Sequence, residues 1–119
     1  FSNEASNVYN SLEFVGDMHC DALLWKRDLL KDNGFGQVDI PKMLRSKIGI
    51  QAFTIVTKSP KNQNFDKNSD DSDNISALYW AQGRPTSSLT KRAISQCESL
   101  YEFAKKSKGK FRVITSSKE

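Results

Sequence analysis

The run Ile48-Gly49-Ile50-Gln51-Ala52-Phe53-Thr54-Ile55-Val56-Thr57 carries no charge and is dominated by β-branched and aromatic residues. A strand with one wet face alternates apolar and polar residues. A near-continuous apolar run suits a strand covered on both faces, as in a parallel sheet. Residues 48–57 are therefore expected to form a central parallel strand, and that expectation restricts the chain to α/β architectures. Parallel neighbours need long crossover connections, usually helical and right-handed.

The rest of the chain supplies such connections. Leu12-Glu13-Phe14-Val15 leads into Gly16-Asp17-Met18-His19-Cys20-Asp21, a short strand over about 14–20 that ends in polar residues. Ala22 to Lys31 contains good helix formers, among them Leu23, Leu24, Leu29 and Leu30, and Asn33-Gly34-Phe35-Gly36 breaks the pattern. Pro41 suits the first turn of a short helix over 42–46, preceded by Asp39 or Ile40. Leu89, Ala93, Cys97, Leu100 and Ala104 recur at helical spacing, widened by Ile94, Tyr101 and Phe103. Ser87 or Ser88 is the expected N-cap of that helix and Gly109 its C′ residue. Phe111-Arg112-Val113-Ile114-Thr115 reads as a further strand. The expected order is β–short α–β–α–β, with no internal repeat.

Residues 1–11, Asn/Ser-rich and polar, read as a mobile leader or a surface strap, and 12–119 as the folding unit. With 37% hydrophobic and 27% charged residues in a chain of 119, a packed core of modest size is expected. The last strand ends just before Lys118-Glu119 with no element to cover it. Since a parallel sheet needs both faces covered, more chain is expected to belong to this fold.

Charge and hydropathy narrow the partners. The net charge is +4, with 18 Lys and Arg against 14 Asp and Glu. Apart from Lys105, Lys106, Lys108 and Lys110 the basic residues are scattered. A nucleic-acid surface shows a denser stripe, so no nucleic-acid partner is expected. There is no apolar run of spanning length. The chain begins at Phe1 without Met, a basic n-region or an apolar h-region, so either a signal was removed or the segment was cut from something longer. That missing Met and the Asn/Ser-rich start point to an extracytoplasmic setting. Cys20 and Cys97 permit a disulfide, but read more simply as two small buried residues. Asn74-Ile75-Ser76 fits a glycosylation triplet, a pattern common by chance.

The chemistry concentrates at His19-x-Asp21. His19 is the chain's only histidine. Residues i and i+2 of a strand share a face, so imidazole and carboxylate can converge on one cation, and both are ordinary zinc ligands. Two ligands do not make a catalytic zinc site, which takes three protein ligands and an open position. By spacing alone the pair fits equally a hydrogen-bonded His–Asp pair or two surface residues.

Three blocks in order extend the pattern: Asp17-Met18-His19-Cys20-Asp21-Ala22-Leu23-Leu24 after an apolar strand, Val38-Asp39-Ile40-Pro41-Lys42-Met43-Leu44 followed by Ile48-Gly49-Ile50-Gln51-Ala52-Phe53, and Phe111-Arg112-Val113-Ile114-Thr115-Ser116-Ser117. From about Phe14 onward the chain resembles the opening third of the membrane (renal-type) dipeptidases, metal-dependent enzymes of the amidohydrolase superfamily. The resemblance implies the N-terminal portion of a TIM-type (β/α)8 barrel with a site for two zinc ions. It implies hydrolysis of dipeptides with a free C-terminal carboxylate by a hydroxide held between the two metals. By position His19 and Asp21 are the first two metal ligands. A bridging glutamate and two further histidines are implied on later strands, beyond Glu119, so the 119 residues by themselves are expected to be inactive. One departure is Met18, where family members often have Gly. Met18 alternates with the ligands and should change only packing.

Trp25, four residues past Asp21, could line the substrate pocket, whereas Trp80 reads as a packing residue. Asp66-x-Asn68-x-Asp70 looks like the start of a calcium loop, but Asp71 and Ala77 stand where an EF-hand needs Gly and Glu, so no calcium loop is expected. Gly34-Phe35-Gly36 lacks the spacing of a nucleotide loop. Ser87 and Ser88 have no histidine near them in sequence to activate a nucleophile. The rival class is a non-catalytic α/β binding module, or a degenerate relative without the full metal site. The oligomeric state is left open, a homodimer being one option.

Overall fold

The computed structural model describes residues 1–58, 66 and 80–118. Among them the order is α1 (Asn3–Ser11), β1 (Val15–Cys20), a single 3-10 turn (Ala22–Leu24), α2 (Ile40–Arg45), β2 (Ile48–Phe53) and α3 (Leu89–Lys106). β1 and β2 pair in parallel, and α2 lies in the connection between them. The chain is thus mixed α/β with a two-stranded parallel sheet. Residues expected to form the Asp66 loop and the Asn74 triplet lie, apart from Asp66, outside the described residues.

The core is small. Cys20, Ala22, Leu23 and Leu29 form its buried centre, and Val38, Phe53, Leu100 and Phe103 pack against them. It therefore sits directly beneath the carboxyl end of β1, between that strand end and α3. No helix among the described residues is long and apolar enough to cross a membrane.

Several elements depart from the sequence expectation, each for a tertiary reason. The start is a helix, with the Ser2 hydroxyl accepting from the Ala5 amide at its N-cap. It buries no residue. What holds it is Lys47, whose Nζ donates to the carbonyls of Tyr9, Asn10 and Leu12 and lies 5.4 Å from the Tyr9 ring centre. An ammonium on the last carbonyls satisfies acceptors that a helix end leaves open.

Residues 22–31 form no helix beyond the 3-10 turn. Their backbone groups bond elsewhere: Lys26 N–H to Gln82 O at 2.9 Å, Leu29 O to Ile40 N–H at 2.8 Å, and Leu23 O to the Arg84 guanidinium at 3.0 Å. Helix propensity is worth tenths of a kcal/mol per residue, and burying Leu23 and Leu29 from an irregular segment outweighs it.

The strand expected over 48–57 stops at Phe53 and, among the described residues, has β1 as its single partner, so it is not a central strand there. Beyond it the Gln96 side chain takes the place of a neighbouring strand, accepting from Val56 N–H at 3.3 Å and donating to Val56 O at 2.9 Å. Residues 111–115 enter no ladder, although Phe111 packs edge-on against Phe53 with ring centres 6.2 Å apart.

α2 begins two residues earlier than the expected 42–46. The buried Asp39 caps it, accepting from Lys42 N–H at 2.8 Å and from Lys42 Nζ. α3 starts on the Ser88 cap as expected but ends at Ser107, where Lys108 (φ +54°) and then Gly109 (φ +85°) turn left-handed. Its orientation is the largest surprise. The buried residues are the polar Arg92 and Gln96, while Leu89, Ile94, Cys97 and Tyr101 face outward. The polar face is buried because it carries the ties. Arg84 reaches Ser95 O, Ser95 Oγ and Ser99 Oγ at 2.7–3.0 Å, Arg92 donates to Gln82, and Gln96 holds Val56. Both cysteines are free thiols. Cys20 is buried, but Cys97 is exposed, contrary to the expectation of two buried residues. Trp80, expected to pack, is 79% exposed.

Candidate functional site

His19 is the fifth residue of β1 and Asp21 the first residue after the strand. The ladder brings them to the end of the sheet with a slip in register. From the Asp17–Gln51 pair to the Cys20–Phe53 pair, β1 advances three residues and β2 two. One extra residue in β1 places a bulge at Met18–His19, a device that re-aims side chains and recurs beside functional sites. The bulge breaks strict alternation, leaving Met18 and His19 both exposed while Cys20 turns into the core. After the bulge the i, i+2 relation holds: His19 Nε2 and Asp21 Oδ1 lie 3.3 Å apart, on side chains 73% and 51% exposed.

One contact within β1 and one from β2 brace this end of β1 through Asp17. Asp17 Oδ1 accepts from the His19 amide at 3.1 Å, and Asp17 Oδ2 accepts from Gln51 Nε2 at 2.8 Å. The Gln51 amide, followed by the His19 amide, holds the Asp17 carboxyl below the usual carboxylate range. Thr54, the residue after β2, donates its backbone N–H to Cys20 O at 3.0 Å, and its hydroxyl contacts Asp21 Oδ1. Burial pushes the Cys20 thiol up, and the charges of Asp17 and Asp21 add to the shift. Cys20 is therefore a neutral thiol on the core side, poorly suited to act as a thiolate ligand or nucleophile.

Asp21 also faces a cleft of about 580 Å³, within the range of small-molecule sites. Trp25, Arg27, Phe35 and Val38 form its walls and Cys20 part of its floor. The far wall is held by Arg27, whose Nη1 donates to Phe35 O at 3.0 Å and Nη2 to Val38 O at 2.5 Å, with the guanidinium 5.8 Å from the Phe35 ring centre. Gly36 permits this clamp. Its φ is +73°, and a Cβ there would sit 2.0 Å from Arg27 Nη1. Gly34-Phe35-Gly36 is thus a left-handed turn that forms part of the cleft wall.

The structure brings His19 and Asp21 together at the end of β1, as their spacing led us to expect, and sets Trp25 on the cleft that Asp21 faces. That reading missed Asp17, Gln51, Thr54 and Arg27. Gln51 and Thr54 had one signal: they are polar residues in an otherwise apolar run. In kind, an imidazole nitrogen and a carboxylate oxygen suit zinc. In number they are short, for among the described residues no cluster of three or more His, Cys, Asp and Glu side chains could hold a metal. Comparison of the chain with family models, with curated proteins and with solved structures finds no match.

Proposed function

We propose that this chain carries the first two metal ligands, His19 and Asp21, of a zinc-dependent dipeptidase acting on dipeptides with a free C-terminal carboxylate, built on a TIM-type barrel whose remaining ligands lie outside the described residues. The observation that supports this reading is the 3.3 Å approach of His19 Nε2 to Asp21 Oδ1 at the carboxyl end of a parallel strand, beside a cleft. Active sites of β/α barrels stand at that end of their strands. The resemblance of the three sequence blocks to the membrane dipeptidases supplies the substrate class and the two zinc ions.

Zinc, when bound, would supply Lewis acidity and an activated water. The chain's own part is to hold and shape the site. His19 would give an imidazole nitrogen and Asp21 a carboxylate oxygen and a compensating charge. Trp25, 42% exposed on the cleft, would give an apolar wall for a substrate side chain. Two ligands bind zinc weakly, so the 119 residues alone should hydrolyse no dipeptide.

The test is zinc content and dipeptide turnover of the protein in its full-length natural form. Asp21→Ala should lose most activity and lower the zinc content, because it removes a ligand and a negative charge together. Cys20→Ala should do neither, since its side chain lies on the core face. Loss of zinc from Cys20→Ala with retention in Asp21→Ala would refute the assignment. The second reading, a non-catalytic α/β binding module, draws on the two-ligand count among the described residues. It predicts a full-length protein with neither tightly held zinc nor turnover.

A further inference from the structure

We propose that Thr54 is the positioning residue for Asp21, orienting its carboxylate for the metal; the inference rests on the metal-site reading above. Thr54 stands one step past the Cys20–Phe53 pair, and its N–H continues the tie to β1 by donating to Cys20 O at 3.0 Å. The backbone of Thr54 is therefore fixed relative to the residue that precedes Asp21. Its hydroxyl is within reach of two acceptors, Cys20 O at 3.2 Å and Asp21 Oδ1. A hydroxyl has one proton to give. Cys20 O already receives the Thr54 amide, and an ionised carboxylate is the stronger acceptor, so the proton goes to Asp21 Oδ1. Threonine is stiff about χ1, which makes it a rigid prop on an already fixed backbone.

Asp21 needs such a prop. It precedes the 3-10 turn with φ −89° and ψ 14°, in the sparsely populated bridge region, and its side chain makes no capping bond to that turn. It is half exposed, so packing does not hold it. Thr54 occupies Oδ1, the oxygen that also faces His19 Nε2, while Oδ2 receives no hydrogen bond from any described residue. An oriented carboxylate loses less side-chain freedom when it takes a cation, and losing such an outer partner typically costs about 10- to 100-fold in metal affinity.

His19 is the only histidine, so its imidazole resonances are one unambiguous reporter in the 119-residue chain. Zinc chloride is titrated up to millimolar concentration into the wild type, Thr54→Val, Thr54→Ser and Asp21→Ala, and the Hα–Hβ couplings of Asp21 are measured without metal. Valine keeps the shape and removes the proton; serine keeps the proton. Thr54→Val should average the Asp21 couplings and weaken the apparent zinc affinity about tenfold or more, and Thr54→Ser should restore a single rotamer and affinity within about threefold of wild type. Should the valine variant fail to fold, Thr54→Ala against Thr54→Ser makes the same comparison. Wild-type couplings in the hydroxyl-less variant, or unchanged zinc affinity, would overturn the role of Thr54 while leaving His19 and Asp21 as ligands. A wild-type His19 signal indifferent to zinc, or one that responds equally in Asp21→Ala, would overturn the metal-site reading. The metal-free couplings would still judge whether Thr54 holds Asp21.

Discussion

Gly36→Ala should be markedly more destabilising than Gly34→Ala, although the two glycines have nearly the same backbone conformation. Their φ angles are +73° and +66°. Alanine in the left-handed region costs roughly 1–2 kcal/mol at either position. A Cβ at Gly34 meets nothing within 4 Å, so that strain is its whole cost. At Gly36 a Cβ would fall 2.0 Å from Arg27 Nη1 and 2.7 Å from Cζ. The guanidinium can swing aside, but it then gives up its bonds to Phe35 O and Val38 O. For a half-buried arginine, two such bonds are worth about 1–3 kcal/mol together. Gly36→Ala should therefore cost about 2–5 kcal/mol and Gly34→Ala about 1–2 kcal/mol.

Urea unfolding midpoints at constant m-value give both numbers. In an Arg27→Ala background the excess should vanish, because the clash partner is gone. Equal costs for the two glycine variants, or an excess that survives Arg27→Ala, would refute the clamp. A lost clamp should also open the cleft wall at Phe35, which Trp25 fluorescence in a Trp80→Phe background can follow.

Two further outcomes follow from the charge network and the N-terminal helix. The Arg45 guanidinium beside Asp32, with the Gly34 amide and Lys42, holds the Asp32 carboxyl at about 2 against an ordinary 3.8. A depressed folded value means that Asp32 stabilises the fold above the ordinary carboxylate range and loses that contribution as pH falls from about 4 toward 2. Asp32→Asn should lower the unfolding midpoint above pH about 5 and flatten its fall over that window, so that the two proteins converge toward pH about 2; high salt should shrink the difference, since Asp32 is solvent-exposed. An unaltered acid limb in Asp32→Asn would contradict this. Lys47→Met should strip α1 of its carbonyl ties and bring its amides to near-unprotected hydrogen exchange, because a nine-residue helix that buries nothing is marginal alone. The β1–β2 amides should keep their protection, and persistent protection in α1 would show that something other than Lys47 holds it.

What was legible in the sequence was local in origin. β2 shows because a β-branched, uncharged run excludes other states, β1 shows as a short apolar lead-in ending in polar residues, and the caps Asp39 and Ser88 show because a short oxygen-bearing side chain before a helical pattern satisfies its open amides. The neighbourhood of His19 and Asp21 follows from a period of two, which holds from His19 onward because the bulge at Met18–His19 does not extend past it. Other features depended on partners far away in the chain. Leu23 to Lys31 would be helical by propensity but bonds instead to Ile40, Gln82 and Arg84. The apolar stripe of α3 predicts the buried face only in part: Leu100 and Phe103 pack against the core, but Ile94 and Tyr101 face outward, and Arg92 and Gln96 are drawn inward by Gln82 and Val56, at separations of 10 and 40 residues. Thr54 and Gln51 reach the site only once the parallel register sets them beside Asp21 and Asp17. Periodicity and capping are properties of a few neighbouring residues and can be read along the chain. Which side chain satisfies a distant backbone group depends on the register and packing of whole elements, and only the tertiary structure decides it.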